Sequence, residues 1–378
     1  MKTLLDLGAL GSRIAVVDGM IIQLVAQRLM LAEQVGAYKR AKGEDIFRAE
    51  VEDRRIAAIR QIAEELGLNP HFAETLLYLL IGESCKLQMV RLQEAARLPA
   101  EPQTEDEWYA KLKHNLLYLA ERYSASYDAE YGKGCTATHA YLAYEEELLA
   151  REIGKLSDYS LLVDLGCATG RVALRWHGGF DRVIGYDISQ HMQSQASRLV
   201  EERNLQERVS FERVDLEDGI PLPDESASFV VMSLGTGSDL RDIRRVIADT
   251  FRVLKTGGRF FFSFYNRDAL VYRWEFLPWQ AGLAAIINIH NDSLDVRLNA
   301  DGHEERVSVF ARAYTKGEAE ALFAPCAVDL VTYPALSAVL PNEIFSAQGG
   351  ARAALADADR RLTDTDMGAY IIVTGQKE

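Results

Sequence analysis

The feature that most constrains the fold is a short apolar segment that runs into a glycine turn and then into a helix-forming segment. It reads LLVDLGCATGRVAL over residues 161–174. This order predicts a buried strand followed by a turn and a helix, so that backbone N–H groups face whatever lies above the sheet. Gly166 and Gly170 would allow a ligand to approach the backbone closely. The segment therefore predicts one strand–turn–helix unit of a parallel sheet.

Acidic residues accompany three successive predicted strands. Asp164 lies on the first strand, Asp187 ends the second, and Asp215 closes the third. An acid at position 164 argues against a pyrophosphate ligand because it would repel one, and the loop lacks the Lys-Ser/Thr pair of a P-loop. A carboxylate at position 187 can accept hydrogen bonds from both hydroxyls of a ribose.

This constellation resembles the class I S-adenosylmethionine-dependent methyltransferase family over about residues 158 to 375. The resemblance implies that S-adenosylmethionine is the cofactor and that a Rossmann-like α/β domain with a seven-stranded sheet binds it. It further implies that Asp164 borders the methionine amino group, that Asp187 holds the ribose, and that Asp215 with Leu216 frames the adenine. Ala168 replaces the family's central glycine. The implied cofactor-binding residues are Asp164, Gly166, Cys167, Gly170, Asp187, Ile188, Asp215, Leu216 and Ser233.

Short apolar runs alternate with helical stretches in this region, which predicts a parallel sheet with crossover helices. The predicted strands lie at 161–165, 182–186, 208–213, 228–233, 259–264, 327–332 and 369–374. Between about 284 and 314 the pattern alternates instead, and Asp301-Gly302 predicts a hairpin turn. We expect an antiparallel hairpin insertion at about 270–314 of a domain that spans 108–378, with preceding helices at about 106–123 and 137–154.

The residues that contact the methyl acceptor are harder to predict, because methyl transfer mainly requires positioning and, in some reactions, a base. Tyr131 and His139, which precede the first strand, are candidate catalytic residues, although they also fit a capping turn with packing aromatics. The loop at 233–239 lies where the family places substrate contacts. An aromatic cluster could form an amine or guanidinium pocket or the core of the insertion; it comprises Tyr272, Trp274, Glu275, Phe276 and Trp279.

Residues 1–98 have helical periodicity throughout. Apolar residues recur at three- and four-residue steps from Ser12 to about Lys42, and further helices are predicted at about 49–66 and 70–98. Three helices, one of them unusually long, predict an all-α bundle that completes its core by pairing with a second copy, so we expect a homodimer. The acidic, proline-containing stretch at 99–107 is predicted to be a linker.

Polar residues of these helices form a second candidate site. Arg28 falls on the apolar stripe of the first helix, where a charge must be paired or functional. Lys39 follows it by about three helical turns, so both cations project from nearly one face. Together with Glu52, Ser84 and Gln88 they predict a pocket for a small dianion. The alternative is that the two cations extend into solvent.

The same residues resemble the all-helical AroQ-type chorismate mutase family over about residues 8 to 92. The resemblance implies that Arg28 and Ser84 bind substrate carboxylates, that Lys39 and Gln88 bind the ether oxygen of the breaking bond, and that Glu52 binds the ring hydroxyl. The family is typically an intertwined dimer, which agrees with the long first helix.

The chain departs from that family at three positions. Gly11 and Val51 stand where the family carries arginines, and Arg48 stands where it carries an acid. Such a site works by electrostatic preorganisation, so the loss of two guanidinium groups predicts a retained fold with weakened or lost mutase activity. Arg13, Arg48 or Arg54 could compensate, and the sequence does not decide between these outcomes.

Composition excludes several classes of function. The net charge is −14, and the acidic excess lies entirely after residue 100, which argues against nucleic acid as a partner and mildly favours a cationic acceptor. The four cysteines are far apart and no histidines cluster, so we expect neither disulfides nor a metal site, and a cytoplasmic location. We find no uninterrupted apolar run of membrane-span length and no signal peptide, so no membrane association is expected.

Three functions follow from these patterns. The first is a methyltransferase for a small polar metabolite, with an amine or guanidine acceptor slightly favoured and the helical domain serving as dimerisation element or substrate lid. The second is a bifunctional enzyme whose methyltransferase acts on an aromatic or keto-acid product of the shikimate branch, as in secondary metabolite biosynthesis. The third treats the helical domain as a metabolite-sensing regulatory module.

Overall fold

A computed structural model of the protein describes residues 7–42, 49–96, 104–124, 127, 136–273, 284–288, 291–300, 303–339 and 349–378. The chain divides into two compact units. The helical unit is described within residues 7–96, and the sheet unit is described from residue 104 onwards.

The helical unit consists of α1 (Leu7–Lys42), α2 (Ala49–Glu65) and α3 (Pro70–Ala96). The third helix packs against both of the others. Much of the apolar surface of α1 is exposed, including Ile14 at 61% and Ile22 at 68%. The segment Leu7–Lys39 is long and apolar enough to cross a membrane by length and composition. This corrects the expectation that no segment has that character, because scattered charges such as Arg28 interrupt the run without making it polar.

The sheet unit begins with α4 (Glu105–Tyr123), within one residue of the helix predicted at about 106–123. The side chain of Thr104 accepts a hydrogen bond from the Glu107 amide, and the Glu107 carboxylate accepts one from the Thr104 amide. This capping box fixes the start of α4 near the C-terminal end of the stretch predicted to be a linker. The second preceding helix is α5 (Thr136–Ile153), close to its predicted range.

Seven strands form one sheet. They are β1 (Leu161–Leu165), β2 (Arg182–Asp187), β3 (Val209–Arg213), β4 (Ala227–Met232), β5 (Leu254–Tyr265), β9 (Val328–Tyr333) and β10 (Tyr370–Gln376). Their order in the sheet is β3-β2-β1-β4-β5-β10-β9, and the predicted Rossmann-like α/β fold is confirmed. The first five run parallel, and β10 lies antiparallel between β5 and β9. The strand order reverses between β1 and β4, so a crevice opens there at the carboxyl ends of the strands.

Helices cover both faces of this sheet. They are α6 (Arg171–Trp176), α7 (Gln190–Glu202), α8 (Ile243–Val253), α9 (Leu270–Arg273), α10 (Lys316–Leu322) and α11 (Gly349–Arg361). Alternate residues of β1 enter two separate cores, Val163 and Leu165 in one and Leu162 in the other. Burial on both faces explains why this strand has an uninterrupted apolar pattern around Asp164. The sequence did not predict α11.

The predicted hairpin insertion is a three-stranded antiparallel sheet. Its strands are β6 (Ala284–Asn288), β7 (Ser293–Ala300) and β8 (His303–Phe310), close to the three alternating segments of the sequence at 286–290, 294–298 and 306–313. The predicted Asp301-Gly302 turn lies outside the described residues. Asn115 of α4 donates a hydrogen bond to the Ser308 carbonyl at 2.7 Å, and the indole of Trp108 donates to the Asn291 carbonyl at 3.2 Å. These bonds join α4 to the insertion.

Candidate active site

The glycine loop after β1 takes the tight conformation that its sequence predicts. Gly166 and Gly170 have φ values of 69° and 84°, in the left-handed region that favours glycine. A Cβ atom would lie 2.4 Å from Thr236 Cγ2 at position 166 and 2.4 Å from Phe211 Cζ at position 170. The loop therefore has room only for bare backbone at these two positions, and their amides donate hydrogen bonds to the Tyr186 and Cys167 carbonyls.

Asp187 links the end of β2 to this loop. Its Oδ2 accepts a hydrogen bond from the Ala168 amide at 2.9 Å, and its Oδ1 accepts one from the Ser189 amide at 2.8 Å. Burial raises the pKa of the carboxyl group while the two amides lower it. Ala168 itself has a positive φ of 47°, so the loop keeps its left-handed turn without the family's central glycine.

Asp164 lies beneath the loop and is 2% exposed. Its Oδ2 accepts a hydrogen bond from the Ala173 amide at 3.2 Å. Burial raises the pKa of this carboxyl group to about 7, against the opposing charge of Arg171. Cys167 is also buried in the loop, and burial raises the pKa of its thiol well above the ordinary value, so it is not a nucleophile.

Asp215 lies at the end of β3 beside an open cleft of about 590 Å³. Its carboxylate pairs with Lys113 of α4 at 2.6 Å, and Leu216 next to it is buried. The cleft lies between α4 and the ends of β2 and β3. Its lining residues are Ala110, Lys113, His114, Leu117, Ile188, Arg213, Asp215 and Asp218. The structure thus brings Ile188 and Asp215 together as predicted, and it adds α4, to which no sequence motif pointed.

A cluster at the end of β4 contains residues that the sequence analysis did not single out. Ser233 accepts a hydrogen bond from Arg171 Nη2 at 3.0 Å, and the same nitrogen pairs with Glu145 of α5 at 2.5 Å. Glu145 is fully buried. The hydroxyl of Tyr141, one turn earlier, accepts a hydrogen bond from the Leu234 amide at 3.3 Å. The sequence does contain a signal for Glu145, namely a charged residue on the apolar face of a helix. The same kind of signal identified Arg28 in α1.

The loop after β4 lies across the end of β5. The Gly235 amide donates a hydrogen bond to Ser263 Oγ at 2.7 Å, and the Tyr265 amide donates one to Ser238 Oγ at 2.8 Å. Burial alone raises the pKa of the Asp239 carboxyl group well above its ordinary value. Asp239 was predicted only as a member of this loop, and its half-buried position there makes it a candidate acceptor-binding group.

The other residues predicted to contact the acceptor are exposed, belong to a short helix or lie outside the described residues. His139 is exposed in the first turns of α5. Tyr131 lies outside the described residues, as do Trp274, Glu275, Phe276 and Trp279. Tyr272 belongs to α9. Within the described ranges, no group of three or more His, Cys, Asp or Glu side chains could hold a metal ion.

In the helical unit, the predicted polar residues converge. Arg28 Nη1 donates to the Leu80 carbonyl at 2.6 Å and to Ser84 Oγ at 2.5 Å. Burial lowers the pKa of the Arg28 guanidinium, and the nearby charge of Arg55 lowers it further. Glu52 is 9% exposed and pairs with Arg55 at 2.9 Å. Arg28 is therefore paired within the bundle and does not simply extend into solvent.

Lys39 and Gln88 belong to the same cluster. Burial raises the pKa of Cys85 to about 12; Glu52 raises it too, while Lys39 and Arg28 act in the opposite direction. Gln88 is 5% exposed, and a Cβ atom at Gly36 would lie 2.5 Å from its Cγ. Within the described part of the chain, Gln88 Oε1 has no hydrogen-bond partner.

The residues at and near the positions that depart from the mutase pattern lie in different surroundings. Gly11 has nothing within 4 Å of a built Cβ atom, and Arg48 lies outside the described residues. Arg13 and Arg54 are exposed. The guanidinium group that faces Glu52 is Arg55, one helical turn after Val51, and the sequence analysis did not consider it.

Two family profiles match the chain. The profile of chorismate mutase type II matches residues 10–89, and that of a methyltransferase domain matches residues 162–258. The chain therefore carries a chorismate mutase type II domain and a methyltransferase domain. We refer to the helical unit as the mutase-type domain and to the sheet unit as the methyltransferase domain.

Several curated proteins resemble the methyltransferase domain. An S-adenosyl-L-methionine-dependent Diels–Alderase of Talaromyces variabilis is 36% identical over 104 residues, which are 27% of this chain and 35% of that protein. A ubiquinone/menaquinone biosynthesis C-methyltransferase of Acidiphilium cryptum is 33% identical over 127 residues, which are 32% of this chain and 50% of that protein. The chain thus spans half the length of these relatives or less.

A solved S-adenosylmethionine-dependent methyltransferase from Clostridium acetobutylicum aligns with 69% of this chain and 98% of its own, at 15% identity and a TM-score of 0.43. That likeness is too remote to bear on function. S-adenosylmethionine is the cofactor of the methyltransferase domain, as its relatives indicate. The bare backbone at Gly166 and Gly170, the carboxylate of Asp187 and the cleft beside Ile188 fit a nucleoside with a cationic amino-acid end.

Proposed function

We propose that the protein transfers a methyl group from S-adenosylmethionine to a small molecule. The observation that carries this proposal is the tight glycine loop held by Asp187, which leaves bare backbone and a carboxylate at the switch point of the sheet. The cofactor supplies an activated methyl group. The protein's own residues supply binding and orientation, which is most of what an in-line displacement requires. We propose that Gly166, Cys167 and Gly170 contact the cofactor through backbone and that Ile188, Asp215, Leu216 and Ser233 border it.

Calorimetric titration with S-adenosylhomocysteine tests cofactor binding. Asp187→Ala removes a carboxylate that accepts two backbone amides, so we expect affinity to fall by at least about tenfold. Asp181→Ala is the matched control, because Asp181 is an exposed residue directly before the same strand. The proposal fails if the parent protein does not bind the ligand, or if both variants bind as the parent does.

For the acceptor, we propose an amine or guanidine. The acidic excess after residue 100 and the half-buried carboxyl group of Asp239 in the loop after β4 support a cationic partner. Asp239→Asn should lower the rate of methylation without weakening S-adenosylhomocysteine binding. Incubating the protein and cofactor with metabolite pools and searching for mass gains of one methyl group identifies the acceptor; methylation only of carbon acids or phenols would reject the amine assignment.

The same experiment covers a second class of reaction. One relative is a cofactor-dependent Diels–Alderase by name, so the cofactor need not be consumed in every protein of this kind. A product that has the mass of its substrate, formed without S-adenosylhomocysteine, would replace methyl transfer by a cyclisation or rearrangement.

For the mutase-type domain, we propose dimerisation as the main role, with weakened or absent mutase activity. The exposed apolar surface of α1 supports a homodimer, and the substitutions at Gly11 and Val51 support reduced turnover. Arg28, Lys39, Glu52, Ser84 and Gln88 remain together and would line any residual pocket. Chorismate conversion by the full-length protein, compared with Glu52→Gln, decides the point: conversion that Glu52→Gln abolishes would establish the bifunctional enzyme instead.

A binding-only role for this pocket is the remaining alternative. Calorimetric titration with chorismate, prephenate and aromatic amino acids should give no heat for a pure dimerisation element, and saturable binding without turnover would indicate a sensor.

We propose a cytoplasmic location and no nucleic-acid partner, supported by the free thiols of Cys85, Cys167 and Cys326 and by the net charge of −14.

A further inference from the structure

Two neighbouring ion pairs join α5 to α6, and they lie in different surroundings. Glu146 pairs with Arg175 at the surface, where their side chains are 46% and 61% exposed. Glu145 pairs with Arg171, and here the exposed fractions are 0% and 36%. The second pair thus combines a fully buried carboxylate with a guanidinium group that is one-third open. A surface pair contributes little to stability, whereas a buried carboxylate must be compensated where it lies.

The buried pair fixes the position of Arg171. Its Nη2 lies between Glu145 Oε2 of α5 and Ser233 Oγ at the end of β4. All hydrogen bonds of Arg171 within the described residues come from this one nitrogen. Because a guanidinium group has five N–H donors in a rigid fork and the Arg171 side chain is 36% exposed, donors remain available to a ligand beside Ser233.

The opposite charge lies close by. Asp164 is coupled electrostatically to both Arg171 and Glu145, and the Ala173 amide bonds to it at 3.2 Å. A partly open guanidinium group and a carboxylate within electrostatic range of it, both next to the glycine loop, are complementary to the zwitterion of an α-amino acid. We infer that Arg171, positioned by Glu145, binds the carboxylate of the cofactor's amino-acid end, opposite Asp164. The inference rests on the proposed function.

The test compares two ligands that differ only in that carboxylate. Calorimetric titration of the full-length protein with S-adenosylmethionine and with decarboxylated S-adenosylmethionine gives an affinity ratio that reports this contact alone. We expect the parent to prefer S-adenosylmethionine by at least about tenfold. Arg171→Met should reduce the ratio to near one, and Arg171→Lys should give an intermediate value. Arg175→Met, the surface arginine one turn later, should leave the ratio unchanged.

A matched pair of substitutions tests whether Glu145 positions Arg171. Glu145→Gln should lower the ratio severalfold because the guanidinium loses its buried anchor, whereas Glu146→Gln should leave it at the parental value. A purely structural role for Glu145 would weaken binding of both ligands equally and leave the ratio unchanged. The inference is overturned if the parent does not discriminate or if Arg171→Met still does. Failure of the parent to bind either ligand would instead remove the proposed function.

Discussion

At the residue scale, the carboxylates around the glycine loop differ in how deeply they are buried. Burial raises the pKa of Asp164 to about 7 and also raises that of Asp187, whereas Asp215 is partly exposed and pairs with Lys113. The groups that face Asp164 electrostatically are Arg171, Glu145, Asp187 and Cys167. The carboxyl group of Asp164 therefore changes its charge near neutral pH.

This predicts that cofactor affinity depends on pH through Asp164. A cationic ligand favours the carboxylate form, so its bound-state pKa is lower than the value of about 7 in the free protein. Affinity for S-adenosylmethionine should then rise as the pH rises and level off above 7, with binding about tenfold weaker at pH 6 than at pH 8. Asp164→Asn should bind with little pH dependence across this range, measured by calorimetry; an unchanged pH profile in that variant would contradict the assignment.

A second prediction concerns Gly170. Alanine there would combine a φ of 84° with a Cβ atom 2.4 Å from Phe211, so we expect Gly170→Ala to destabilise the methyltransferase domain by about 2–4 kcal/mol. Gly178 serves as the control because a Cβ atom there has nothing within 4 Å. Urea denaturation of both variants measures the difference, and equal midpoints would contradict the strain argument.

At the element scale, α5 is attached to the sheet by a buried charge. Arg259 of β5 donates two hydrogen bonds to Glu152 Oε2, at 2.9 and 2.5 Å, and the side chains are only 11% and 3% exposed. The same helix carries Glu147, which pairs with Arg360 at the surface. Because α5 also presents Glu145 and Tyr141 to the crevice, its attachment to the sheet bears on the site.

We predict that Glu152→Gln lowers the free energy of unfolding by about 3 kcal/mol, since it leaves the buried Arg259 guanidinium without its counter-charge. Glu147→Gln should change it by less than about 1 kcal/mol, because both partners there are exposed. Thermal and urea unfolding of the two variants measure this contrast. Similar losses in both would mean that the buried pair does not fix the helix.

At the scale of the whole molecule, the exposed apolar residues of α1 require an explanation. Met20, Ile21 and Leu24 are between 47% and 63% exposed, on a helix whose middle is anchored to α3 through Arg28. A second copy can cover such a surface, and so can a lipid bilayer. The charged bonds of Arg28 to Leu80 and Ser84 favour a protein partner, because they bind α1 to a neighbouring helix that contains many polar residues.

We therefore predict that the full-length protein is a dimer and that Leu24→Glu shifts it to monomers, because a charge in an apolar interface is costly. Gln23→Glu, an exposed neighbour on the same helix, should remain dimeric. Size-exclusion chromatography with light scattering distinguishes the two. A monomeric parent that co-sediments with lipid vesicles would instead support a membrane role for α1.

The sequence by itself determined the parts of this protein that depend on local patterns. Alternating apolar strands and helices predicted the sheet, and the glycine loop predicted its own turn. Helical spacing placed Arg28 and Lys39 on nearly one face of α1 and Ser84 and Gln88 on one face of α3. Each of these predictions depends on residues close together in the chain. The helix predicted at about 106–123 likewise begins within one residue of the observed start of α4.

Only the tertiary structure brought distant residues together. Lys113 meets Asp215 across 102 positions of the chain, and Arg171 meets Glu145 and Ser233. None of these contacts follows from composition or periodicity, since a charged side chain has the same letter whether it is solvated or buried. The physical reason is burial: the cost of removing a charge from water fixes its partner and its pKa, and burial exists only once the chain has folded.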